Sequence, residues 1–409
     1  MRNLSVNGDR LWRSLMETAA IGGTPKGGIK RLTLTEEDRA VRDWLARECR
    51  TLNCAMIVDE VGNMFFTRPG TDPALKPIAI GSHLDTQPTG GKFDGILGVL
   101  AGLEILRTLN ESRYTTRHPL MLVNWTNEEG ARFSPAMLGS GVHAGVFDRR
   151  YADTRIARDG QALGDALEAI GYRGDAAAGS TKMAAMLELH IEQGPVLEAQ
   201  GKDIGIVEGV QSMRWYDLVI EGVEAHAGPT PMPLRKDALV AAAELVLLVE
   251  CIANSHAPGV GTVGCLEVHP NSRNVVPGRV ELSIDLRHPE DDQLDVMEAE
   301  LRREIGARLG DRFAIGLTEN WRSPAVKFDP RCVEAVAEGA AAAGYSSIRI
   351  HSGAGHDSAY IARVAPTAMI FVPCLGGLSH NEAESATKEQ CLAGAQTLLN
   401  AVLRLDHLE

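Results

Sequence analysis

The stretch that most limits how this chain can fold is residues 81–95, reading GSHLDTQPTGGKFDG. It follows a short apolar run, PIAI at 77–80, with the length and composition of a buried strand. It precedes an apolar stretch at 96–106 with the length of a helix. A strand, a glycine-rich turn and a helix in this order form half of a βαβ unit. The strand delivers His83 and Asp85, which alternation along an extended segment places on one side. Asp94 stands where the helix begins. A histidine, a carboxylate behind it and a second carboxylate at the helix start suit a divalent metal. The same residues also fit a polar loop in which Asp94 merely caps the helix.

The rest of the chain repeats this alternation and then departs from it. PLMLVNW at 119–125 is a second buried strand, ending in Thr126-Asn127-Glu128-Glu129-Gly130, and residues 183–191 form a third, ending in HIEQGP. Strands spaced by helices predict an α/β domain with a mixed, largely parallel sheet flanked by helices. Residues 55–59 and 63–67 read as an edge hairpin. After Gly209 the pattern becomes strand-helix-strand-strand-helix-strand, the signature of an α+β sandwich. From Phe328 the first pattern resumes. The expected organisation is a first catalytic segment, 1–212, an inserted domain, 213–327, and a second catalytic segment, 328–409; 409 residues suffice for two domains.

Composition narrows the function classes. A net charge of −13 argues against nucleic acid or an anionic membrane as partner. No apolar run approaches the ~20 residues of a bilayer span, and the N-terminus lacks a signal-peptide core. Seven cysteines without a CxxC pair are expected as reduced thiols in a cytoplasmic protein. No GxSxG elbow or phosphate-binding loop is present. The GVGTVG at 259–264 precedes a strand and is a chance match. Cys374 is expected as a packed thiol.

Five residues stand out as candidate metal ligands: His83, Asp94, Glu129, His190 and His380. Each lies at or beyond a strand end, where ligands gather in open α/β sheets. Three imidazoles and two carboxylates suit one or two zinc-class ions, with Asp94 placed to bridge a pair. Glu128 and Glu129 are neighbours at the end of an apolar strand and must point different ways. One can bind metal while the other faces the attacking water as general base. His356 competes with His380 for the fifth position; His380 is preferred because GGLS presents it after the strand at 367–372.

Seven motifs occur in order: GSHLDTQPTGGKFDG, NWTNEEGARF, HIEQGP, EAHAGPTPM, NSRNVVPG, SGAGHD and GGLSHNEAE. Together they make the chain resemble the hydantoinase/carbamoylase group of the dinuclear-metal aminoacylase and carboxypeptidase superfamily. The likeness spans residues 10–400 and is nearest the β-ureidopropionase-like branch. It implies two divalent metals, zinc foremost with manganese, cobalt or nickel as alternatives, on the five ligands above. It implies Glu128 as general base and Asp85 as the residue orienting His83. Gln193, His226, Asn274 and Arg287 match substrate-binding positions. So does the loop Ser352-Gly353-Ala354-Gly355. His356 and Asp357 are a shared feature without a derived role. The inserted domain would be a lid and a homodimer surface.

The substrate implied is a small N-carbamoyl acid, N-carbamoyl-β-alanine or an N-carbamoyl-L-amino acid, cleaved to the amino acid, CO2 and ammonia. Allantoate or an ordinary amide is the alternative. Arg287 would read the substrate carboxylate as a planar fork, and His226 would stabilise the oxyanion.

Overall fold

Four strands lie side by side and parallel, in the order Leu120–Trp125, Ile78–His83, Ala185–Ile191 and Thr367–Val372. Every residue in them is buried. That explains why their sequences are continuous apolar runs without alternation: a parallel sheet is covered on both faces. The edges are antiparallel, which makes the sheet mixed. Met64–Arg68 and Ala55–Val58 extend one side as a hairpin, and Ile204–Val210 runs against Thr367–Val372 on the other. This is a computed structural model, and it describes residues 4–407.

The helix Ile96–Glu111 lies against the central strands and is buried along most of its length. Its approach is close enough that a Cβ on Gly98 would overlap the Leu189 carbonyl and the Ser82 side chain. Helices Gly8–Ala19, Pro330–Ala343 and Lys388–Leu405 complete this layer. Lys388–Leu405 starts with a capping box between Thr387 and Gln390. Asp94 does not cap Ile96–Glu111. Gly95 occupies the N-cap position at φ 67°, and no side chain caps that helix. The strand Ile204–Val210 was not read from the sequence, because Gly205 and Gly209 interrupt its apolar pattern.

The chain divides into two compact units. One runs through Gly209 and resumes at Lys327; the other is Val210–Val326. The second unit has a four-stranded antiparallel sheet, in the order Ala314–Ser323, Ser212–Glu221, Arg279–His288, Val260–His269. Its middle strand alternates strictly: Val280, Leu282, Ile284 and Leu286 are buried, and the residues between them are partly exposed. Helices Ala238–Ser255 and Asp291–Leu309 contribute to the core on the buried face. Ala238–Ser255 is apolar because it supplies this core. At 18 residues and mean hydropathy 1.8 it is, among the described residues, the one helix with the length and composition of a bilayer span, although Glu244 and Glu250 interrupt its apolar run. One face supplies Ala241, Ala242, Leu245, Leu248 and Ile252 to the core, and the other exposes Val240 and Leu247.

The close helix–sheet contact at Gly98 generates a stability prediction. Gly98→Ala overpacks that contact and should destabilise the first unit by about 1–3 kcal/mol. Chemical unfolding measures it; an unchanged midpoint would show that the helix can shift without loss.

Candidate metal centre

All four parallel strands bring residues to one end of the sheet. His83 closes Ile78–His83, and His190 is the penultimate residue of Ala185–Ile191. His83 Nδ1 lies 2.9 Å from the Asp85 carbonyl oxygen, and His190 Nδ1 lies 2.9 Å from the Ile191 carbonyl oxygen. A ring whose Nδ1–H is held this way presents its Nε2 lone pair. Asp94 Oδ1 is 3.5 Å from His83 Nε2 and 3.2 Å from His190 Nε2. On its other side, Asp94 Oδ2 is 3.8 Å from His380 Nε2, which is 3.4 Å from Glu129 Oε2. Two three-ligand groups therefore share one carboxylate: His83–Asp94–His190 and Asp94–Glu129–His380, each with ligand atoms within 4.8 Å of one another.

These residues fit a divalent ion. His83 Nε2 is buried with no hydrogen-bond partner, and the donor set is that of zinc-class metals. Burial works against charge on Asp94, but His190 and His83 together hold its carboxyl well below the usual range.

Glu128 and Glu129 diverge as neighbours at a strand end must. Asn127, at φ 59°, turns the chain, and its side chain donates to the Phe133 carbonyl at 2.7 Å. The carbonyls of Thr126, Asn127 and Glu128 accept from the amides of Gly139, Leu138 and Met137. Gln87 grips the Glu129 carboxylate with its backbone N–H at 3.0 Å and its Nε2 at 2.8 Å. Glu128 instead faces His83, with Oε2 3.5 Å from Nε2. Burial, reinforced by Asp357, Glu129 and Asp85, pushes the Glu128 carboxyl well above its ordinary pKa, against the opposing pull of His83.

The sequence profile of peptidase family M20/M25/M40 matches residues 79–404. The chain belongs to this family. An N-carbamoyl-L-amino-acid amidohydrolase from Rhizobium meliloti is 50% identical over 98% of this chain and 97% of its own. One from Geobacillus stearothermophilus is 38% identical over 98% and 99%. The crystal structure of a hydantoinase/carbamoylase family amidase from Burkholderia multivorans superposes with TM-score 0.96 at 52% identity, covering 98% of each chain. This M20-family chain is thus a hydrolase of C–N bonds.

Other expected site residues of the M20-family chain take distinct places. Asp85 reaches His83 through its main-chain carbonyl oxygen; its carboxylate sits 3.8 Å from Nδ1. That carboxylate instead accepts the backbone N–H groups of Glu128 at 3.3 Å and Glu129 at 3.2 Å. Spacing alone could not separate these roles, since both belong to one residue. Gln193 donates from Nε2 to Asp94 Oδ2 at 2.8 Å, leaving Oε1 buried without a partner. The Ser352 hydroxyl folds the Gly353–Ala354–Gly355 turn by donating to Ala354 O at 2.8 Å. Gly355 packs against Met137, beside the Glu128 turn.

His356 is buried with its ring centroid 4.6 Å from that of His190, yet it joins neither ligand group. Burial, and then His190, hold its pKa well below the usual value. Asp357 bonds to the Ser140 hydroxyl. Burial pushes the Cys374 thiol up to about 11, as a packed thiol requires.

His226, Asn274 and Arg287 belong to the second unit. His226 lies opposite Val275 in a two-residue pairing, and the Asn274 carbonyl accepts from Ala227 N–H at 2.9 Å. Both side chains are exposed. The Arg287 guanidinium already meets a carboxylate: Nη2 donates to Asp285 Oδ2 at 2.6 Å and Nε to Oδ1 at 3.0 Å.

Sequence reasoning missed Glu384, although it lies inside the GGLSHNEAE motif. Its carboxylate accepts from the backbone N–H groups of Phe93 at 3.0 Å and Asp94 at 3.1 Å. Burial and the Asp94 charge push it up to about 7. Its only signal was the motif itself.

The double use of Asp85 yields a prediction. Asp85→Ala leaves the His83–carbonyl bond in place but frees the two glutamate amides. Turnover should fall at least about tenfold, on the scale of a lost charge-assisted bond. Metal affinity should change less. Equal losses in both, measured by steady-state kinetics and metal titration, would return Asp85 to the simple role of orienting His83.

Proposed function

We propose that this chain hydrolyses the ureido C–N bond of N-carbamoyl-L-amino acids, giving the amino acid, CO2 and ammonia, and that N-carbamoyl-β-alanine is within its range. The observation that carries this reading is the pair of ligand groups sharing Asp94, with Glu128 beside them and unused as a ligand. The named activity of relatives at 50% and 38% identity supports the substrate class.

Two zinc-class ions, one on His83–Asp94–His190 and one on Asp94–Glu129–His380, would supply Lewis-acid charge at the carbamoyl carbonyl and acidify the attacking water. The chain's own residues do the rest. Glu128 takes the water proton and returns it to the departing amino nitrogen; a carboxyl of raised pKa is suited to both steps. Gln193 spends its donor on Asp94 and keeps Oε1 to accept from the ureido NH2. His226 and Asn274 offer exposed polar groups to the carbonyl and ureido ends. Arg287 presents a fork held in plane by Asp285, which the substrate carboxylate would share.

The test is a substrate panel with metal-reconstituted protein: N-carbamoyl-L-amino acids, N-carbamoyl-β-alanine, allantoate and N-acetyl amino acids. Free amine and ammonia are read together. Equal amounts from the N-carbamoyl acids are expected, and chelation should abolish both. Amine from N-acetyl substrates with no ammonia from any N-carbamoyl acid would identify an ordinary amide hydrolase. Glu128→Gln should lower kcat by about 10²–10⁴-fold with metal content unchanged; turnover near wild type would place the base elsewhere.

The same reading includes a homodimer formed through the inserted unit. Leu247 is 66% exposed and Val240 49% exposed on the outer face of Ala238–Ser255. An apolar stripe of this kind is commonly covered by a partner, here a second copy. Leu247→Glu should convert a sedimenting dimer to monomer; a wild type that sediments as an active monomer would contradict the assembly. The seven cysteines are all unpaired, which suits a reducing cytoplasm.

A further inference from the structure

His380 is the most weakly enclosed of the candidate ligands. Its side chain is 53% exposed, against 1–5% for His83, Asp94, Glu129 and His190. It also sits at φ 54°, a conformation a non-glycine residue holds only under constraint. On one side of it, the Ser379 hydroxyl donates to Asp94 Oδ2 at 2.7 Å. On the other side, Glu382 is gripped by a turn from the far N-terminal end of the chain.

The Thr24 hydroxyl donates to Glu382 Oε1 at 2.6 Å and accepts from the Gly28 N–H at 3.1 Å. Thr24 N–H in turn donates to the Gly28 carbonyl at 2.9 Å, closing the turn. Lys26 Nζ stands 3.6 Å from Glu382 Oε2. There is no slack in the contact: a Cβ on Gly28 would lie 2.5 Å from the Gly90 carbonyl oxygen and 2.7 Å from both Cα and Cβ of Glu382. The next residue, Ile29, exchanges backbone hydrogen bonds with Gly90 at 2.8 and 3.0 Å, tying the turn to the loop that leads to Asp94. Residues 24–29 lie outside the 79–404 span matched by the family profile.

We propose that the turn at residues 24–28 is a positioning device for His380, acting through Glu382, so that the Asp94–Glu129–His380 group depends on it while His83–Asp94–His190 does not. This rests on the two-metal reading above. Thr24 and Gly28 touch no ligand; they fix where the His380 loop can lie. Partners that orient a ligand typically carry about 10–100-fold in metal affinity.

The experiment titrates zinc into chelator-stripped full-length protein against a chromophoric competitor, with thermal melting of the metal-free protein alongside. Wild type, Thr24→Val and Thr24→Ser are compared, with His380→Ala as the reference for loss of the second group. Wild type and Thr24→Ser should bind two equivalents. Thr24→Val should keep the first at wild-type affinity and weaken the second about tenfold or more. Thr24→Ser separates the hydroxyl from mere packing, because it restores the hydrogen bond alone. Wild-type affinity for both equivalents in Thr24→Val overturns the proposal. So does parallel weakening of both, or a lowered melting point with unchanged binding, since either shows a turn that supports the fold only. A wild type binding fewer than two equivalents overturns the two-metal reading and this proposal together, which distinguishes that failure from the others.

Discussion

The Asp94 carboxylate is the point on which the centre depends. It is buried, ionised by its two histidine neighbours, and the one residue common to both ligand groups. A buried charge is costly unless fully partnered, and its partners come from across the chain. His83 and His190 face Oδ1; Gln193 and Ser379 donate to Oδ2. Glu384 holds its backbone N–H. The partners come from three places, the end of Ile78–His83, the end of Ala185–Ile191 with the residues after it, and the segment that carries Ser379 and Glu384, so electrostatic satisfaction of one aspartate requires all three to be in register.

The sheet makes that convergence possible. Four parallel neighbours end at the same edge, and each end releases a loop toward the same crevice. The loops are bent sharply to do it. Asn127, Gln193 and His380, in the segments that follow three of these strands, all have positive φ. Backbone of this kind costs roughly 1–3 kcal/mol per residue, and it persists here because hydrogen bonds surround it. The Asn127 amide grips the Phe133 carbonyl, and the Gln193 amide grips Asp94.

What the sequence disclosed follows from how local each signal was. Thr367–Val372 and Lys388–Leu405 were legible to the residue, since a buried strand and a capped amphipathic helix are written in consecutive residues. The candidate ligands were legible because histidine and carboxylate at strand ends are chemically conspicuous. The N-cap reading of Asp94 failed because a glycine at positive φ can start a helix unaided. The contacts of Glu384, of Thr24 and of the buried Arg31, whose Nε donates to the Leu84 carbonyl at 2.8 Å between His83 and Asp85, were not legible. Each acts on main-chain atoms or on residues distant in sequence, and no spacing rule reports such contacts.

The interrupted path of the first unit also sets an order of events during synthesis. Thr367–Val372 pairs in parallel with Ala185–Ile191, made far earlier, and His380 follows it. Val210–Val326 has its own core and its own four-stranded sheet, whose strands pair with one another. On the ribosome the inserted unit can therefore fold while the catalytic sheet still lacks its fourth parallel strand. That sheet closes only after nearly the whole chain has emerged, and pairings of such long sequence separation form slowly. Until then the edge of Ala185–Ile191 is open, and the nascent chain is at its most vulnerable to mispairing just before the candidate ligand groups can assemble.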